Sequence, residues 1–148
     1  NGHGGNVNSV KAAFSEIQNE LAERRTNSDR LVNELPNDVR CSLHNWWAGT
    51  KTTALRQSLY GESEGYHATP SEVSVTWYAY PEEQRDVALG PLVKIKRAYQ
   101  GPEDYRELFP DGRMASDPSL ASPADGERLV KLAVTELAQS FRDFLTEA

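Results

Sequence analysis

Apolar residues return at three- and four-residue steps near the start of the chain. Val7, Val10, Phe14, Ile17 and Leu21 follow this rhythm, and Glu16, Glu20 and Arg24 fall on the other side. The period predicts an amphipathic helix over residues 7–25, with Asn6 as its N-cap. Residues 26–38 are polar, contain Asn and Pro, and predict a loop or a short irregular helix. From Val39 to Trp47 the pattern changes to alternation, with Cys41, Leu43 and Asn45 on one face, and predicts a buried strand. Residues 51–60 predict a short helix that stops at Gly61. Between Tyr66 and Tyr80 two readings compete. Val73, Val75, Trp77 and Ala79 alternate and favour a strand by propensity. The alternative is a helix that starts near Ser71, with Pro70 just before it and Pro81 stopping it, but propensity alone selects strand. Leu92, Val93 and Ile95 predict a short strand within Leu89–Tyr99. Residues 100–121, rich in Pro, Gly and Asp, predict a long loop of the kind that is functional or packs on a partner. The last helix has the clearest signature, with Ser122 as N-cap, Pro123 at the first helical position, and a stripe of Leu129, Leu132, Ala133, Leu137, Phe141, Phe144 and Leu145.

A chain of 148 residues can hold one domain with a real core, so residues 1–148 are read as a single domain. Twenty-two acidic against 16 basic residues give a net charge of −6. That excludes a general nucleic-acid binder, which needs a basic face for phosphates, and Lys94–Arg97 is too short to form one. Cys41 is the single cysteine, so no intrachain disulfide and no cysteine-based zinc site can form. With no apolar run long enough for a bilayer and no signal pattern, no membrane partner is expected and the expected location is the cytoplasm. The opening Asn1-Gly2-His3-Gly4-Gly5-Asn6 is a turn that normally follows a strand and opens a helix. No strand precedes it here, so the chain is expected to lack an N-terminal segment, or to meet a companion chain that supplies it.

Three groups of residues carry candidate chemistry. His3 stands between glycines that let the backbone approach whatever the imidazole touches, and the helix that follows points its positive end there. An incidental surface histidine in a glycine-rich turn is the alternative. His67 and Glu72 lie five apart across a Pro-containing turn. The histidine can transfer protons near neutral pH, and the glutamate can bind a cation through oxygen. Equally, Glu72 can cap a helix, with His67 a satisfied loop residue. Trp46 and Trp47 sit at a predicted strand end, where one indole can wall a planar substrate, or one can pack in the core and the other in an interface. His44 and Cys41 read as structural.

Four stretches in order then resemble the creatininase (creatinine amidohydrolase) family. Asn1–Asn6 matches its Asn-Gly-His-Gly-Gly-Asn signature. Leu43-His44-Asn45-Trp46-Trp47 resembles its strand ending near Trp. His67-Ala68-Thr69-Pro70-Ser71-Glu72-Val73-Ser74 matches in part its His-Ala-Gly-Glu-x-Glu-Thr-Ser motif. Ser116–Ser122 followed by Gly126-Glu127-Arg128 looks like its Gly-Asp-Pro-x-Leu-Ala-Thr segment. The chain resembles the C-terminal half of such a protein. The resemblance implies an α/β fold, a three-layer α/β/α domain with a mostly parallel sheet, incomplete in this chain. It implies helix from about Ser71 to Tyr80, against propensity.

The resemblance also implies two divalent ions per site, zinc or manganese, with His3 and Glu72 as this chain's ligands. His67 is then the proton-moving residue, and one of Trp46 and Trp47 closes over a small-molecule substrate. Gly4, Gly5, Asn6 and Tyr66 become substrate-binding residues, with the Gly4 and Gly5 N–H groups near the oxyanion. A homo-oligomer is implied as well. In creatininase itself a metal-binding Glu stands where this chain has Gly5, and Thr69-Pro70-Ser71 replaces the usual Gly-Glu-x, which argues against creatinine as substrate. The remaining ligands of the family lie upstream of the matched stretches. The expected reaction is cleavage of a C–N bond in a cyclic amide-like substrate by metal-activated water. The rival expectations are a non-catalytic subunit or pseudoenzyme of the same fold, and a hydrolase acting on a cyclic ketone or sugar-like substrate.

Overall fold

The computed structural model describes residues 1–26, 39–95 and 97–147. Of these, 66% are helical and none lies in a strand. Five α-helices follow one another: α1 (Val7–Thr26), α2 (Thr50–Tyr60), α3 (Pro70–Ala79), α4 (Gly101–Leu108) and α5 (Pro123–Thr146), with short 3₁₀ turns between them. The expected three-layer α/β/α arrangement with a mostly parallel sheet is therefore overturned for the described residues. Among the described residues the single β feature is an isolated antiparallel bridge between His67 and Met114.

The two predicted strands fail for the same physical reason. Alternation marks a segment with one covered face, but a strand also needs a neighbour for its N–H and C=O groups. Residues 39–45 keep the alternation: Val39, Cys41, Leu43 and Asn45 are half-buried, and Arg40, Ser42 and His44 are exposed. Their contacts run to side chains and to the chain start rather than to a ladder. Gln18 Nε2 donates to Val39 O at 2.7 Å, and the Asn1 ammonium donates to His44 O at 2.7 Å. Residues 90–93 likewise lie along 113–115 without forming a strand. The buried Arg113 guanidinium donates to Gly90 O and Pro91 O, and Ala115 N–H donates to Val93 O.

The helices follow their capping chemistry closely. α2 ends where Gly61 was expected to end it, and α5 starts with Ser122 accepting from Asp125 N–H and Pro123 in the first turn. For α3, helix prevails over β propensity, because Thr69 and Glu72 form a reciprocal capping box with Pro70 between them. Two expectations need correction. Asn6 is not the N-cap of α1: a 3₁₀ turn at Gly4–Asn6 runs directly into the helix, and His3 caps that turn. Residues 100–121 are not one long loop. Pro102, Glu103 and Asp104 are residues of a helix first turn, and they open α4. The expectation for residues 26–38 lies outside the described residues, apart from the end of α1.

The core forms where α5 crosses α3 and α2. Leu129 and Ala133 of α5 are buried there with Tyr60. Ser74 is fully buried, and its Oγ contacts Tyr60 Oη at 2.8 Å and accepts from Ser122 N–H at 3.0 Å. Gly126 makes the crossing possible, since a Cβ there would stand 2.0 Å from Ser74 O. α5 also caps α2 from outside. The Glu136 carboxylate accepts from Lys51 N–H, Thr52 N–H and the Thr52 hydroxyl at 2.6–2.8 Å. The Thr52 hydroxyl, more than the backbone donors, holds the Glu136 carboxyl below its usual pKa. Among the described residues no helix is long and apolar enough to cross a membrane.

Two stability measurements check this packing. Gly126→Ala gains about 1 kcal/mol of helix propensity, but it forces Ser74 aside. The expected net loss is about 2 kcal/mol in urea unfolding, and an unchanged midpoint would refute the close crossing. Glu136→Gln is expected to cost about 1 kcal/mol at pH 7, as loss of a cap does. The Glu136 pKa is lower in the folded state, so its contribution is complete above the ordinary glutamate range and fades as pH falls through the folded value. The two proteins should therefore converge in thermal stability in acid.

Candidate active site

One cavity of about 480 Å³ collects residues from stretches far apart in the chain, between His3 and Met114. His3, Gly4 and Gly5 border it from the first turn, Trp46 and Trp47 from the 3₁₀ turn before α2, and Tyr66, His67, Thr69, Ser71 and Glu72 from the approach to α3. The expected site residues thus converge, except Asn6, whose side chain turns instead to Asn1 Oδ1. The rings of His3 and His67 meet edge-to-face, with centroids 6.0 Å apart. Trp46 and Trp47 meet in the same way at 6.1 Å, and both are half-buried and border the cavity. Neither tryptophan is buried in the core.

The backbone around His67 is held by a part of the chain far away in sequence. Tyr66 N–H donates to Met114 O at 2.9 Å, Met114 N–H donates to His67 O at 3.3 Å, and Asp117 N–H donates to Ser63 O at 2.9 Å. The buried Ser116 hydroxyl also donates to His67 O. Gly65 is required at this crossing: its φ is +61°, and a Cβ would lie 2.5 Å from the backbone of 114–116. No described residue hydrogen-bonds a ring nitrogen of His67, so the imidazole is free to act while its backbone is pinned.

Arg56 was not singled out from the sequence, yet it ties the cavity walls together. Its Nε donates to Glu64 Oε1 at 2.8 Å and to Ser71 Oγ at 3.2 Å, and Nη1 donates to Trp47 O at 3.1 Å. Nη2 pairs with Glu64 Oε1 at 2.6 Å. Ser71 donates to the same carboxylate oxygen and contacts Thr69 Oγ1 at 3.0 Å. An arginine and a glutamate eight apart give no pattern by themselves. The mutual burial of α2 and the turn after it is what reveals the pair. Tyr99, at the end of the segment read as a strand, and Tyr105, in the stretch read as loop, also border the cavity without having been singled out from the sequence.

A family model described as creatinine amidohydrolase matches residues 1–141. The chain belongs to the creatininase family. No curated protein matches it significantly. Membership points to a hydrolase of the creatininase type, and creatininase-family enzymes generally use a divalent metal.

The described residues do not by themselves fit a complete metal site. No three of their His, Cys, Asp and Glu side chains cluster so as to hold an ion. His3 Nδ1 accepts from Gly5 N–H at 3.0 Å. A neutral imidazole with Nδ1 as acceptor carries its proton on Nε2 and offers no lone pair there. Glu72 Oε2 accepts from Thr69 N–H and the Thr69 hydroxyl at 3.0–3.1 Å, so its helix-capping role is real, with Oε1 left over. The Gly5 N–H is likewise committed to His3. Of the two glycine donors, only Gly4 N–H has no partner among the described residues.

The Arg56–Glu64 pair is open to direct test. Arg56→Met strands a buried carboxylate and is expected to cost about 3 kcal/mol or more, whereas Arg56→Met combined with Glu64→Leu should recover much of the loss. A single-variant cost below about 1 kcal/mol in urea unfolding would show that the pair does not hold the cavity.

Proposed function

We propose that the protein is a C–N hydrolase of the creatininase type, acting on a cyclic amide-like small molecule. The convergence of His67, the two tryptophans and Tyr66 with His3 and Glu72 on one cavity carries this reading. Substrate enters between the Trp46 and Trp47 indoles and Tyr66, whose flat rings suit a planar molecule. His67 is the proton donor to the leaving nitrogen, because its ring nitrogens are unengaged and proton transfer needs a group within hydrogen-bond reach. Gly4 N–H is the backbone donor available to a developing oxyanion.

The proposal assigns His3 and Glu72 to a divalent site of zinc or manganese, two ions in the full enzyme. His3 serves there after its ring turns off Gly5 N–H and frees a lone pair, and Glu72 serves through Oε1. The remaining ligands come from residues other than the described ones, in a preceding segment or a companion chain. The single cysteine fits a cytoplasmic protein, and we take the enzyme to be a homo-oligomer.

The native protein, purified with whatever chain accompanies it, is to be measured for intact mass, metal content and hydrolysis of cyclic amides. His67→Asn should lower kcat at least about 100-fold, with metal content unchanged. Chelation should abolish activity, and zinc or manganese should restore it. Full activity after chelation would overturn the metal assignment. Turnover retained by His67→Asn would overturn the proton donor. A metal-free protein that turns over cyclic ketones or nothing at all would replace this reading by one of its rivals.

A further inference from the structure

A third wall of the cavity comes from Tyr99, just before α4, and from Tyr105 within it. Tyr99 is held from two sides. Its ring meets Tyr105 edge-to-face at 5.1 Å and the buried Phe109 at 6.4 Å. Tyr105 and Phe109 lie 5.2 Å apart, so the three rings make one cluster. Tyr105 is anchored in turn, its hydroxyl donating to Gly112 O at 3.2 Å.

The second hold is a clamp across the base of the loop. Arg97 Nη1 and Nη2 donate to the two carboxylate oxygens of Asp104 at 2.7 and 2.5 Å, and Gln100 N–H donates to Asp104 Oδ2 at 2.6 Å. A bidentate pair of this kind fixes orientation as well as distance. Tyr99 sits between the clamped residues with 47% of its surface exposed, and its hydroxyl bonds to no described residue. A large ring kept half-exposed at a cavity, by a cluster and a clamp, is placed to receive something flat. Side-chain entropy that is already lost before binding does not count against affinity.

We propose that Tyr99, positioned by the Arg97–Asp104 clamp, is a specificity-determining residue that stacks on a planar ring in the cavity. The site thereby favours cyclic over open-chain amides. The substrate class rests on the function proposed above; the stacking role of Tyr99 rests on the ring cluster and the clamp. The selectivity is carried by contact with the ring, so loss of the hydroxyl alone leaves it in place.

The test uses the native protein and two probes: hydantoin, a planar cyclic ureide, and its open-chain counterpart N-carbamoylglycinamide. Dissociation constants are read from tryptophan fluorescence, and turnover of both compounds is followed in parallel. The wild type should prefer hydantoin. Tyr99→Ala should weaken hydantoin binding about 3- to 10-fold, the span of one aromatic contact, and leave the open-chain probe within about twofold. Tyr99→Phe should bind like the wild type. Arg97→Gln, which keeps the ring but opens the clamp, should lose part of the preference. Equal weakening of both probes, no weakening, or no wild-type preference overturns the inference, as does failure of the wild type to bind hydantoin. Ring-selective binding that depends on Tyr99, without turnover of any cyclic amide, upholds this inference while the hydrolase reading falls. Turnover of cyclic amides with an unchanged Tyr99→Ala preference does the reverse.

Discussion

The Arg56 guanidinium is the constraint on which the rest of the site depends. It reaches from α2 to the carbonyl that ends the tryptophan pair, to Glu64 in the turn after α2, and to Ser71 in the first turn of α3. A planar fork with five donors can satisfy several acceptors at fixed angles, which a lysine cannot do. The pair is largely buried, with side-chain exposures of 17% and 10%. Its value therefore lies less in Coulomb attraction than in the penalty for separating it. The cavity walls come from separate segments, and this polar knot ties them together. Among the described residues, Glu64 Oε2 is left buried without a partner, so they do not fully satisfy the knot.

A second constraint acts on His67. Its backbone is bridged to Met114, and the residues after both bridge partners, Ala68 and Ala115, have φ of +52° and +56°. A left-handed alanine costs about 1 kcal/mol or more. Three backbone hydrogen bonds around the crossing and the Ser116 hydroxyl offset that cost. The chain turns sharply at both sites, and the outcome is an imidazole whose backbone is fixed and whose ring is free. The Ser116–Ser122 stretch, recognisable in sequence as a motif but without visible chemistry, earns its place by holding this histidine.

Glu72 and His3 show how one residue can serve two ends. The Glu72 carboxylate closes the capping box that makes 70–79 a helix, and the same carboxylate faces the cavity. His3 caps the turn that opens α1 and borders the cavity too. For His3 the structural and the chemical reading compete for the Nδ1 lone pair, whereas Glu72 caps through Oε2 and keeps Oε1. A change in the hydrogen bonds of His3 would therefore couple local folding to the chemistry.

Much of this was legible from local pattern. Ser122 and Pro123, Gly61, and Glu72 mark helix ends because capping is settled within four residues. The convergence of His3, Trp46, Trp47, Tyr66, His67 and Glu72 was implied by motif order alone. What local pattern misjudged were the strands at 39–47 and 89–99, because alternation reports one covered face and pairing depends on a neighbour that the pattern does not contain. The Pro and Gly of 101–108 read as loop because the same residues open helices. By itself the sequence determined the family and the ends of α2 and α5, the latter because a helix cap is settled by short-range geometry, and it singled out most of the residues that meet at the cavity. Only the tertiary structure decided that Arg56 and Glu64 brace the cavity, that 114–117 hold His67, and that Tyr99 stands in the wall. Each of these depends on groups brought together across the chain, where the energy of burial and not the spacing of residues selects the partner.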